Sequence, residues 1–210
     1  MKEEQKPLLQ RFLGWISAIL HPVFYPVIAL LLLFTVHSFI IHLPWDIKRF
    51  DLLIVSINTL LIPVAYTVIF YRLKLISSLQ MENRQERILP LILYIVFTYV
   101  SYFVLKKVHQ PSIIWQIMLV TAAVTFFSLL VSFRWKISLH LTGMGGLSGM
   151  LLLFVFRVSP KFSPLWMISL ILAGVLGSAR LISNQHKPAE IYLGFLGGFI
   201  FAASLLWFMD

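Results

Sequence analysis

Near the C-terminus the chain reads Ser178-Ala179-Arg180-Leu181-Ile182-Ser183-Asn184-Gln185-His186-Lys187-Pro188-Ala189-Glu190. Five residues separate Arg180 from His186, and Glu190 follows His186 by four. His and Glu at i and i+4 share one helix face. There a carboxylate can accept a hydrogen bond from one ring nitrogen, which fixes the tautomer and frees the other nitrogen as nucleophile or base. A guanidinium nearby suits an anion through its planar fork of donors. His186 also precedes Pro188, at an expected helix N-terminus, where free N–H groups and the macrodipole attract phosphate. The combination predicts a site that holds an anion and attacks it. An interfacial cluster of snorkelling groups is the plainer account of any one of these residues, but not of all three at this spacing.

Two further clusters carry compatible chemistry. Lys136, Ser138 and His140 stand together at the start of an apolar run. A hydroxyl there can donate to a phosphate oxygen, and an imidazole can protonate a leaving oxygen. A helix-capping serine and a histidine satisfied by a carbonyl would look the same. Arg84 and Arg87, three apart with Pro90 behind them, would face one way on a helical turn and could grip phosphate oxygens. Equally, they fit a basic loop paired with Glu82 and Glu86.

The elements that must position these groups are membrane spans. Of 210 residues, 60% are hydrophobic and 12% charged, with a mean hydropathy of +0.91, which describes a polytopic membrane protein. Spans of roughly 20 apolar residues are expected at about 13–36, 50–72, 88–106, 112–133, 138–157, 164–182 and 189–209. The expected fold is an all-α polytopic transmembrane bundle of six to seven spans, a single membrane domain over 1–210 with its motifs at about 80–200. His21-Pro22 and Pro26 interrupt the first run, so it is either a kinked span or a re-entrant element. Gly143, Gly145, Gly146 and Gly149, and later Gly194, Gly197 and Gly198, predict close helix contacts.

The net charge of +9 sits in loops and at helix ends without a Lys/Arg-rich run, so nucleic acid is not the expected partner. The absence of cysteine excludes disulfides, thiolate catalysis and Cys-ligated metal. No small-residue cleavage site follows the charged N-terminus, which argues against a cleaved signal peptide. Crossing parity brings the Arg84/Arg87, Lys136–His140 and Arg180–Glu190 clusters to one membrane face, whichever way the first run is read. That face carries eleven of the 17 Lys and Arg, against six on the other. Setting aside Arg84, Arg87, Lys136 and Arg180 leaves seven against six, a slight bias to a cytoplasmic N-terminus.

On these residues the chain resembles the type 2 phosphatidic acid phosphatase superfamily, whose soluble relatives include vanadium haloperoxidases. Its three motifs run K-x6-R-P, P-S-G-H and S-R-x5-H-x3-D. Arg180, His186 and Glu190 match the third, with Ser178 displaced by Ala179. Ser138 and His140 match the second, with Ile137 and Leu139 at the Pro and Gly positions. Arg87 or Arg84 stands for the arginine of the first, Pro90 lies two residues late, and no lysine sits seven before Arg87. The resemblance implies a metal-independent lipid phosphate or pyrophosphate phosphatase that needs no cofactor and acts through a phosphohistidine. His186 would attack phosphorus, Glu190 would orient it, and His140 would protonate the leaving group. Arg180, Arg87, Arg84 and Ser138 would bind the phosphate, with Lys136 as an added cation. The expected partners are a lipid phosphate or polyprenyl diphosphate and membrane lipids, in a bacterial inner membrane.

The departures from the motifs leave a catalytically altered or inactive lipid-binding protein of the same fold as the alternative. A haem-binding bundle would need facing histidines deep in spans, whereas His37, His42 and His109 lie at segment ends. A prenyltransferase would need an Asp-rich magnesium site, whereas Asp46, Asp51 and Asp210 are scattered. A transporter would be expected to carry more charge within its spans.

Overall fold

The computed structural model describes residues 5–37, 39–79, 81 and 83–209; Glu82 lies outside them. Among the described residues there is no strand, and seven segments are long and apolar enough to cross a membrane. The chain is a polytopic helical bundle and an integral membrane protein. Lipid cannot hydrogen-bond to backbone, so a spanning segment must satisfy its own N–H and C=O groups, and helices do this.

The first span, Leu8–Val36, comprises α1 (Gln5–Ile19) and α2 (Tyr25–Val36), joined by a tight turn at Pro22–Phe24. The second, Trp45–Arg72, is α3 (Trp45–Ser56), a π-helical turn at Ile57–Leu61 and α4 (Ile62–Arg72). Then follow α5 (Ile88–Lys107), entered by a turn at Arg84–Arg87, α6 (Ser112–Ser132), α7 (Leu139–Arg157), α8 (Ser163–Ile182) and α9 (Pro188–Phe208). Four spans start earlier than apolar content alone predicts: at Leu8, Trp45, Arg84 and Pro160. The added turns carry charge, such as Asp46, Lys48 and Arg49, and hydropathy undercounts polar helical turns.

Both interruptions have local causes. Pro22 and Pro26 remove amide donors, so the first span breaks after Ile19. The freed Leu20 carbonyl takes the Tyr25 hydroxyl at 2.6 Å. Pro63 likewise cannot close an ordinary helical turn, and the ladder widens just before it. There the Asn58 amide donates to the Ile54 carbonyl at 2.9 Å, and the Thr59 hydroxyl to the Val55 carbonyl at 2.9 Å. Each irregularity is thus satisfied internally.

The tightest contact joins α7 to α9. A Cβ on Gly145 or Gly198 would overlap the backbone of Phe195 or Thr142, and one on Gly149 would come within 2.5 Å of the Phe199 carbonyl oxygen. Only glycine permits this approach. The Ser138 amide donates to the Glu190 carbonyl at 3.2 Å, fixing the starts of both helices side by side. Replacing Gly198 by Ala is expected to cost about 1–3 kcal/mol of stability through overpacking. Gly174→Ala, where nothing lies within 4 Å of the new methyl, is expected to cost nothing. Thermal unfolding in detergent measures both, and equal effects would refute the role of this contact.

Candidate functional site

One cavity of about 770 Å³ opens within the bundle, and Arg87, His140, Arg180 and His186 all lie on its wall. The residues come from the starts of α5 and α7, the end of α8 and the turn before α9. The shared face expected from crossing parity is therefore a shared pocket. From His140 the wall continues along α7 to Met150, ten residues or about 15 Å of helix. Leu147 and Val124, the latter against Gly146, line this deeper part. On the outer side the wall runs to Val64 and Val68 of α4, which are 51% and 42% exposed.

His186 and Glu190 meet, with Nδ1 and Oε2 2.7 Å apart and both side chains buried. The i, i+4 spacing predicts a shared helix face, but His186 precedes α9. Glu190 sits in the first turn and reaches back, its Oε2 also accepting the Lys187 amide at 3.3 Å. That is helix-capping geometry used to orient an imidazole. A carboxylate can only accept here, so Nδ1 carries the proton and Nε2 holds the lone pair. No described residue hydrogen-bonds to Nε2. Burial pushes the His186 pKa below the usual histidine value; the hydrogen bond to Glu190 opposes this, and the charges of Arg180 and Arg87 push it further down. The ring is therefore neutral, the form a nucleophile needs.

Arg180 is 9% exposed, and its guanidinium makes no hydrogen bond or ion pair to any described residue; Nε is buried without a partner. Its charge reaches His21, His140 and His186. Arg87 is 4% exposed and half-engaged. Its Nε donates to the Met81 carbonyl at 2.8 Å and its Nη1 to the Ile137 carbonyl at 3.0 Å, leaving Nη2. Glu190 acts on it electrostatically. His140 Nε2 faces the Ser17 carbonyl at 3.1 Å, so that nitrogen donates and Nδ1 holds the lone pair of the neutral ring.

The other expected residues do not reach this wall. Ser138 is fully buried, its hydroxyl unpartnered among the described residues and away from the cavity. Lys136 is half-buried and likewise off the wall. Arg84 turns outward and donates from Nη1 to the Phe133 carbonyl at 3.2 Å. One residue that the sequence reading took only as the site of a kink joins the pocket. His21 lines the cavity, its ring edge-to-face with His140 at 5.0 Å. An ionisable side chain inside an apolar run was the signal that could have flagged it. Among the described residues, no three His, Asp or Glu side chains group closely enough to hold a metal ion.

No family model, curated protein or solved structure matches the chain.

Two outcomes follow from this electrostatics. Because the fold disfavours the His186 proton, stability is retained above the ordinary histidine pKa near 6.5 and falls as pH drops towards the lowered value. In ¹⁵N-histidine NMR, His186 should be neutral with Nδ1 protonated at pH 6.5, and Glu190→Gln should move its titration further down; titration at or above the ordinary value would contradict the assignment. Arg180→Leu should raise the thermal midpoint of the unliganded protein by about 2–4 °C, the equivalent of about 1 kcal/mol. A lowered midpoint would show that the guanidinium has a stabilising partner.

Proposed function

We propose that this protein is a membrane-embedded phosphatase that hydrolyses a phosphate ester or pyrophosphate of a lipid through a phosphohistidine. Arg180 carries the proposal. An uncompensated guanidinium in a low-dielectric bundle is costly, and an anion in the adjoining cavity would supply the missing charge and acceptors. Beside it are the free nitrogen of a neutral, carboxylate-oriented imidazole and a second buried guanidinium. The deep apolar arm suits a hydrocarbon tail that never leaves the bilayer. The Lys and Arg excess favours the cytoplasmic face for the site; a bacterial inner membrane remains the location implied by the family resemblance.

In this mechanism the phosphoryl oxygens lie against Arg180 and the free Nη2 of Arg87, which take up the charge spread in the transition state. His186 Nε2 attacks phosphorus as the bond to the lipid oxygen breaks. Glu190 holds the Nδ1 proton and steadies the positive charge that develops on the ring. The negative charge of the bound phosphate favours a second proton on His140, taken up at Nδ1 from water in the cavity; that proton passes to the leaving oxygen while the Nε2–H stays on the Ser17 carbonyl. His140 then takes a proton from the water that displaces phosphate from His186. Ser138, Lys136 and Arg84 have no part in this mechanism.

Purified protein is expected to release phosphate from one or more members of a panel of phosphatidic acid, phosphatidylglycerophosphate, polyprenyl diphosphate and lipid A. Turnover should persist in EDTA, be inhibited by vanadate and fall by on the order of 10³-fold or more in His186→Ala. Turnover that requires Mg²⁺, or that survives His186→Ala, would exclude the mechanism.

A further inference from the structure

The first span contributes more than a wall. At its break His21 caps the turn Pro22–Phe24, its Nδ1 accepting the Val23 amide at 3.4 Å. A ring nitrogen that accepts holds a lone pair, so the neutral ring carries its proton on Nε2. No described residue accepts that proton. The ring stands at 85° to His140 on the cavity wall, within electrostatic reach of Arg180.

The helix leading to His21 is built to dock here. Gln10, Leu13, Gly14, Ser17 and Ala18 of α1 line the cavity. Leu8, Phe12, Trp15 and Ile19 form an opposite stripe, each at least 62% exposed. At about 100° per residue, the two sets occupy opposed faces of one helix. The side that carries Gln10 and Ser17, with Leu13 buried beside them, turns to the cavity, and the wholly apolar stripe faces outward. Docking also places the Ser17 carbonyl on His140, so the pocket is incomplete without α1.

We propose that His21 is an anion-binding residue of this site, donating its Nε2–H to an oxygen of the bound phosphoryl group. The proposal rests on the phosphatase reading of the same cavity. Arg180 and the free Nη2 of Arg87, on the same wall, supply charge. A neutral N–H adds a hydrogen bond without adding another buried charge. That matters where two guanidinium groups already match a phosphate dianion.

The test is binding of inorganic phosphate and of vanadate to the full-length protein in detergent, by calorimetry, for wild type, His21→Leu and His21→Gln. Glutamine keeps an N–H donor at similar reach and cannot titrate. His21→Leu should weaken binding about tenfold, the worth of one hydrogen bond to a charged group, whereas His21→Gln should stay within about threefold of wild type. Unaltered binding in His21→Leu, or equal loss in both variants, would overturn the proposal. Wild type that neither binds these anions nor turns over a lipid phosphate would instead overturn the phosphatase reading. Should His21→Leu fail to fold, ¹⁵N-histidine NMR of wild type decides: the His21 Nε2–H resonance should move on adding phosphate, and a resonance that stays put refutes the donor role.

Discussion

The contact between α7 and α9 is the constraint on which the site depends. Both helices present glycine at the crossing, and the backbone of one lies where a side chain of the other would be. This closeness brings the Ser138 amide onto the Glu190 carbonyl and so fixes the register of two helix starts. His140 follows one start and His186 precedes the other. Arg87 extends the junction by donating to the Ile137 carbonyl, which ties the third span to it. Three polar loops distant in sequence are held together by one backbone hydrogen bond and the Arg87 side chain, and the imidazoles inherit that placement.

Electrostatics gives the pocket its direction. In a hydrocarbon surround, a buried charge is normally paired or neutralised. Glu190 is engaged by His186 and the Lys187 amide, and Arg87 is partly engaged by carbonyls. Arg180 has neither kind of partner among the described residues. Such an arrangement favours an anionic occupant, and its cost to the empty protein is the expected counterpart of affinity for that anion. Burial holds the His186 pKa down, and the charges of Arg180 and Arg87 add to that against the hydrogen bond to Glu190.

The irregular backbone serves the same cavity. A bundle of straight, fully apolar helices would close on itself. Here a break near Pro22 and a widened turn before Pro63 interrupt two spans, and Pro22 and Pro63 both stand on the cavity wall. Tyr25, Asn58 and Thr59 satisfy the carbonyls concerned.

The membrane fold was legible in the sequence because it rests on local physics. Apolar length sets a span, proline interrupts it, and parity then decides which loops share a face. The pairing of His186 with Glu190 was also readable, since four residues of chain can hardly separate them, although helix capping rather than a common helix face brings them together. What the sequence could not decide was which way the other side chains turn. Ser138, Lys136 and Arg84 lie close in sequence to residues of the cavity yet miss it, because rotation at a helix end is set by the neighbours against which that end packs. His21 lies more than a hundred residues from His140 and reaches the same pocket only because α1 docks along the cavity. Convergence of groups from separate spans is a property of long-range packing, and only the tertiary structure decided it.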